Sequence, residues 1–227
     1  MTAVIEARAM STGYSGQPVV HDLELAVHSG EVVCLLGPNG AGKTTTLLAL
    51  SGELPLIAGE VLIDGQPTAD PLHVRARRGM SFVTEERSVF KGLSTRDNFR
   101  VAGLDPTVGG RLFPELESRM SVPGGLLSGG EQQMLTLARA LAREPRILLA
   151  DELSLGLAPM FVDRLLRAVR DAAHEHGTGV LFVEQHAHKA LRYADRAIVM
   201  RRGRVELSLL RSPISTAIRP TIPRAKR

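Results

Sequence analysis

At 227 residues, with 44% hydrophobic and 23% charged side chains, the chain is long enough to bury a sizeable core and has the composition of an ordinary globular domain. No window approaches the ~18 unbroken apolar residues of a membrane span, and the N-terminus lacks the basic start and apolar run of a signal peptide, so a cytoplasmic location is expected. The net charge of +4 is uneven: residues 201–227 hold eight basic side chains and one acid, leaving the first 200 residues at −3.

In chain order, strands are predicted over "AVIEARAM" and "HDLELAV", an antiparallel N-terminal layer. "EVVCLL" is a short apolar strand that runs into the glycine-rich "GPNGAGKTT", and a helix follows through "TLLALSG". Cys34, the only cysteine, lies in that apolar run, which excludes an internal disulfide and predicts a buried thiol. "GEVLIDG" and "SFVTEE" read as strands, and Ser94 with Asp97 marks the start of a helix to about Ala102. The Pro- and Gly-rich stretch 104–126 is predicted to hold one short helical piece near 115–121. "LLSGGEQQ" opens a helix to about Arg143, with Met134, Leu137, Ala138 and Leu141 at helical spacing. "RILLAD" is a buried strand. Phe161, Leu165, Val169 and Ala172 form the inner stripe of the next helix, and "GVLFVEQ" is a second buried strand. "DRAIVMRRGRVEL" reads as a hairpin turning at Arg202-Gly203. Buried strands alternating with helices predict an α/β fold with a parallel sheet, and the more polar helical stretch from about 88 to 143 predicts a subdomain beside it. Residues 210–227, with Pro213, Pro220 and Pro223 and no apolar period, are expected to be a disordered basic tail.

Three short stretches carry chemistry. Gly37–Thr44 matches G-x-x-x-x-G-K-[ST] between a predicted strand and a predicted helix. The backbone of Gly37, Pro38, Asn39, Gly40, Ala41 and Gly42 would curl around phosphates, its N–H groups, which Pro38 lacks, turned toward them. Lys43 would reach the β- and γ-phosphates, Thr44 would offer a hydroxyl to Mg²⁺, and Thr45 would add a phosphate contact. In "ILLADE", Asp151 at a strand end brings a carboxylate to the Thr44–Mg²⁺ site, and Glu152 is placed to polarise the attacking water. The third stretch is "LLSGGEQQ". Ser128 and Glu131 fit a capping box, yet Gly129 and Gly130 each cost roughly 0.8–1 kcal/mol against alanine in a helix. A helix start with bare N–H groups is also an anion site. These eight residues alone leave both readings open.

The succession of P-loop, "LSGGEQQ" and "ILLADE" resembles the ATP-binding cassette (ABC) ATPases over roughly residues 4–207. The resemblance implies a P-loop (RecA-like) sheet core, an N-terminal antiparallel β layer and a short helical signature subdomain, all within a single ATPase domain over 1–209. It implies that Ser128, Gly129 and Gly130 face the γ-phosphate of ATP held by an opposite subunit. It assigns Tyr14 to stacking on adenine and His186 in "FVEQH" to the γ-phosphate. Glu85 falls where relatives have a glutamine serving Mg²⁺ and water. "SLGL", 154–157, is the loop by which two subunits touch, although Ala158 and Leu153 stand where relatives commonly have Asp and Pro. "ELSLGLAP" and the glutamate-type "EERSVF" loop are similar to the ATPase subunits of branched-chain amino-acid importers. The implied partners are membrane permease subunits and a second ABC ATPase subunit, identical or different, at the inner face of the cell membrane, with ATP and Mg²⁺ as ligands and no nucleic acid. A cassette acting on ribosomes or nucleic acid, and a weakly hydrolysing half of a heterodimer, are the rival readings. The segment from Glu85 to Ser128 is shorter than in those importers, and the basic tail replaces an acidic, leucine-rich end.

Overall fold

The structure, a computed structural model, describes residues 3–184 and 187–210. The expected tail beyond 210 and His186 lie outside the described residues. Two long strands, β1 (Ala3–Tyr14) and β2 (Gln17–His28), pair antiparallel around a turn at Ser15 and Gly16, both at positive φ. The apolar strand β3 (Val32–Leu36) leads through the glycine-rich loop into α1 (Lys43–Ser51). β4 (Leu56–Ile63) returns to pair with β1, and the short β5 (Gln66–Pro67) closes a four-stranded sheet of order β2-β1-β4-β5.

α2 (Leu72–Arg77) and β6 (Met80–Val83) follow, then α3 (Thr95–Val101), capped by Ser94, whose hydroxyl oxygen accepts from the Asp97 N–H at 3.0 Å. α4 (Thr107–Leu112), a 3₁₀ turn at Pro114–Arg119 and another at Gly124–Leu126 lead into α5 (Gly129–Leu141). β7 (Ile147–Asp151), α6 (Pro159–His176), β8 (Gly179–Glu184), α7 (Ala187–Tyr193) and the hairpin of β9 (Arg196–Arg201) and β10 (Arg204–Leu210) complete the chain. The second sheet has the order β10-β9-β3-β8-β7-β6; only β10 runs antiparallel to its neighbour.

A parallel sheet covered on both faces needs strands that are apolar throughout, and β3, β7 and β8 are buried at every position. Alternation then divides them. Cys34, Leu148, Ala150, Val180 and Phe182 pack in one core with α5 and α6, while Val33, Leu35, Leu149, Leu181 and Val183 pack in the other with α1 and the antiparallel sheet. Each such fully buried Leu, Val or Phe contributes roughly 1.5–3 kcal/mol of transfer free energy. Cys34 is buried as expected, and burial, with the nearby Glu184 charge adding to it, pushes its thiol well above the ordinary value.

Two helices depart from the sequence expectation. The stretch 104–126 was predicted to hold a single helical piece; α4 precedes it. Its "TVGG" run carries little helix propensity, but Gly109 lies under the Phe99 ring, which comes within 2.5 Å of where a Cβ would sit. Packing on Phe99 outweighs local preference there. α2 escaped notice because its main anchor is polar. The buried Arg75 guanidinium donates to the carbonyls of Leu50 and Asp70, both at 2.6 Å.

Candidate functional site

The glycine-rich loop leaves the carboxyl end of β3, the edge at which open α/β sheets bind ligands. α1 begins at Lys43 behind Gly42 at φ 99°, with no side-chain cap. The first N–H groups of a helix have no intrahelical acceptor, so Lys43, Thr44 and Thr45 present theirs outward, where the helix dipole also favours an anion. Gly37 has no substitute: the Met200 carbonyl oxygen lies 2.3 Å from where a Cβ would be. Met200 is on β9, and the turn after β9 donates from the Gly203 N–H to the Ala41 carbonyl at 3.0 Å. The last hairpin of the sheet thus backs the loop. The Lys43 ammonium donates to the carbonyls of Gly37, at 2.8 Å, and Pro38, at 3.1 Å, so its charge is held over the loop.

An open pocket of about 480 Å³ lies against this loop, lined by Asn39, Gly40, Gly42, Lys43, Thr44 and Thr45, together with Glu85, Glu152, Val19 and Leu155. Asp151 stands behind it, 2% exposed, at the end of β7. Burial raises its pKa above the usual aspartate value; the Thr44 hydroxyl bond and Lys43 oppose that rise, and Glu152 and Glu85 add to it. Its Oδ1 is buried with no hydrogen-bond partner among the described residues. Glu152 holds φ 45°, an uncommon value outside glycine, and its N–H donates to the Val183 carbonyl at 3.1 Å.

The second phosphate-type stretch is built differently. Ser128 caps α5 in a complete capping box: its hydroxyl oxygen accepts from the Glu131 N–H at 3.3 Å, and the Glu131 carboxylate accepts from the Ser128 N–H at 2.7 Å. Arg119 donates to the same carboxylate at 2.7 Å. Burial pushes the Glu131 carboxyl upward, but the Ser128 N–H, Arg119 and the Ser128 hydroxyl together hold it below the ordinary range. The two glycines have separate reasons. A Cβ on Gly130 would sit 2.8 Å from the Phe161 ring, so this glycine is a packing requirement. The atoms nearest to a Cβ on Gly129 would be those of the Arg87 guanidinium, at 3.2 Å. Gly129 is half-buried, with the Arg87 cation beside it. The structure bears out the capping box, and Gly130 is set by packing on Phe161; the anion-facing reading of the helix start stays a proposal.

One loop serves both places. Residues 84–90 bring Glu85 to the P-loop pocket and Arg87 to the start of α5. Arg139 on α5 pins that loop, donating to the Ser88 carbonyl at 2.6 Å and stacking on Phe90 with its guanidinium carbon 5.4 Å from the ring centre. Of the residues singled out from sequence, the P-loop set, Glu85, Asp151 and Glu152 are brought together. Ser128, Gly129 and Gly130 form their own surface. Tyr14 ends β1 at 50% exposure and is not among the residues lining the pocket. Val19 had no sequence signal and reaches the pocket through the register of β2; Leu155 and Arg87 lie in the "SLGL" and "EERSVF" stretches, but nothing in those stretches gave these positions in the site.

A P-loop with a buried strand-end aspartate, a following glutamate and a separate glycine-opened helix defines a nucleotide-hydrolysing cassette, and comparison with known proteins agrees. The ABC transporter family model matches residues 20–154. The chain is 37% identical over 208 residues to the high-affinity branched-chain amino acid transport ATP-binding protein BraG of Pseudomonas aeruginosa, covering 86% of this chain and 88% of that one. It is also 37% identical over 216 residues to the lipopolysaccharide export system ATP-binding protein LptB of Escherichia coli K12, covering 88% of each. Among solved structures, the ATP-binding subunit of an ABC transporter superposes with a TM-score of 0.79 at 30% identity, covering 91% of this chain and 90% of that one. A dimeric cassette holding ADP and phosphate after hydrolysis shares the fold, with a TM-score of 0.81 at 24% identity over 92% of this chain and 100% of that one. The chain belongs to the ABC transporter ATP-binding family and is an ATPase subunit of a transporter.

Proposed function

We propose that this subunit hydrolyses Mg²⁺-ATP within a pair of cassettes and powers a membrane importer of branched-chain or related amino acids. The observation that carries the catalytic half is the Lys43 loop and Glu152 lining one pocket, with Asp151, whose buried Oδ1 has no partner among the described residues, behind them at Thr44. Asp151 Oδ1 and the Thr44 hydroxyl suit a hard divalent cation that seeks oxygen donors, with Glu85 beside them. Bound Mg²⁺ supplies charge neutralisation across the β- and γ-phosphates. Lys43 and the α1 N–H groups bind and orient the phosphates, Glu152 accepts a proton from the attacking water, and His186 contacts the γ-phosphate. A single ATPase domain over 1–209 houses these groups, with Tyr14 against the adenine.

In the second cassette of the pair, the α5 start with Ser128 and Gly129 faces that γ-phosphate. Among the described residues no helix is long and apolar enough to cross a membrane; the likeness to transporter ATP-binding subunits supports partner permeases as the membrane-spanning part. A groove of about 450 Å³ between α2, β6, α3 and α5, lined by Leu72, Phe82, Phe90, Val101 and Arg139, lies behind the Glu85 loop. We place the permease there, since Phe90 and Val101 are large exposed apolar groups on the loop and helix next to the site.

The likeness to BraG and the "ELSLGLAP" and "EERSVF" stretches support the amino-acid reading; the equal identity to LptB favours a lipopolysaccharide exporter as the second. Extraction in mild detergent and identification of the co-purifying membrane proteins tests both. Reconstituted with those partners, ATP turnover should rise with a branched-chain amino acid and its binding protein. Stimulation by a lipopolysaccharide alone would overturn the import reading.

A further inference from the structure

Two residues at the end of β8 hold two residues of the loop after β7. The Val183 carbonyl accepts from the Glu152 N–H at 3.1 Å. The Glu184 carboxylate accepts from the Ser154 N–H at 3.1 Å and from the Ser154 hydroxyl at 2.7 Å. Glu184 is 2% exposed and Ser154 9%. Leu153 between them is buried in the α5–α6 core. A carboxylate costs several kcal/mol to bury, and charge-assisted bonds of this kind are what offset such a cost. Both Glu184 oxygens accept from Ser154, in the loop that carries Glu152.

Glu152 itself sits at φ 45°. A non-glycine residue keeps such a conformation only where its surroundings over-determine it. The bonds on either side of Leu153 do that: one fixes Glu152 at its N–H, the other fixes the chain two residues on. The Leu155 N–H then returns to the Glu152 carbonyl at 3.2 Å, closing a turn whose tip, Leu155, lines the P-loop pocket. From this geometry we infer that Glu184, acting through Ser154, is a positioning residue for Glu152. It locks the strained loop so that the Glu152 carboxylate stays aimed at the water site. The inference rests on Glu152 serving as the base.

The test compares Ser154→Ala, Ser154→Thr and Glu184→Gln, each alone and combined with Glu152→Gln, by steady-state and single-turnover ATP hydrolysis, nucleotide titration and melting. Small misplacements of a reacting group can cost about 10²-fold in rate, so Ser154→Ala should lose roughly tenfold or more in kcat. KM and nucleotide Kd should stay within about twofold, because the P-loop is untouched. Ser154→Thr keeps the N–H and the hydroxyl and should recover the rate; Glu184→Gln keeps one good acceptor and should fall between. On the Glu152→Gln background none of the three should cost further turnover, since residues that act as a unit are not additive. Full kcat in Ser154→Ala with turnover already lost in Glu152→Gln overturns the inference alone. So does a rate loss that follows nucleotide affinity or the unfolded fraction, or one that persists in full on the Glu152→Gln background. Full turnover in Glu152→Gln itself overturns the catalytic assignment, and the inference with it.

Discussion

Two helices of this chain start at glycines, and their starts are finished to different degrees. α1 has Gly42 as its cap, no side chain satisfying its first N–H groups, and a lysine held over the loop. α5 has Ser128 and Glu131 closing a capping box, with Arg119 behind it. The first start carries no side-chain cap, and its lysine lies over the loop of the same chain. The second satisfies itself around the Ser128 and Glu131 N–H groups, with Arg87 beside Gly129. A start that binds phosphate alone has to be wholly open; one that completes a site built mainly by another chain can be folded and capped in advance. The difference separates binding, which should belong to α1, from turnover, which should need both.

The largest effect should come from filling the Gly129 position at the start of α5. In Gly129→Asp the new carboxylate would lie against Arg87, occupying the place of a phosphate and neutralising the cation. Turnover should fall on the order of 10²–10³-fold, the usual loss when preorganised donors are removed from a transferring group. Nucleotide titration should remain near the parent, and melting should be unchanged or slightly raised, since acids favour a first helical turn. Retained turnover in that folded variant would reduce "SGGE" to a helix start. Lys43→Ala breaks the other member of the comparison. It should weaken nucleotide binding on the order of 10²-fold through loss of charge-assisted bonds, and a fluorescent-nucleotide titration reads it directly.

Asp151→Asn should separate stability from function at the first start. Its raised pKa means the folded state binds a proton more tightly than the unfolded one. Stability from this group is therefore greatest below the ordinary aspartate value. It falls as pH rises from there through the raised value, and the cost persists at neutral pH. The amide removes that cost, so without nucleotide the variant should melt higher, by about 2–4 °C for each kcal/mol relieved, while Mg²⁺-dependent turnover collapses. A lower melting temperature would show that ionised Asp151 is not under strain. The smallest effect belongs to the self-satisfied start. Glu131→Gln should cost about 0.5–1.5 kcal/mol. Glu131 has a lowered pKa, so its contribution is present above the ordinary glutamate value and fades as pH falls through the depressed one. Acid titration of the melting temperature should show that loss in the parent and not in the variant.

These contrasts were only partly legible in the sequence. The P-loop, the "ILLADE" strand and the capped "SGGE" helix are local patterns, and local patterns of period and capping survive into the fold: β3, β7, β8, α1 and α5 all stand where they were predicted. The separate duties of Gly129 and Gly130 were not readable, because Phe161 and Arg87 reach them from distant segments. The same holds for the Glu184–Ser154 bonds across 30 positions, for Val19, which β2 carries to the pocket wall, and for α4, whose Gly109 lies under Phe99. Side chains that meet through sheet register leave no spacing signal in one sequence.

The central claim is that two copies of the site, each joining a P-loop to an α5 start of another cassette, close on Mg²⁺-ATP and are reopened by Glu152. The most direct measurement is sedimentation of Glu152→Gln with Mg²⁺-ATP, beside single-turnover hydrolysis. The account predicts ATP bound, hydrolysis slowed on the order of 10²–10⁴-fold, and a stable two-cassette species (with itself or with a partner ATPase) that disperses when Lys43→Ala or Gly129→Asp is added. A variant that stays monomeric under every pairing and hydrolyses ATP at the parental rate would contradict it.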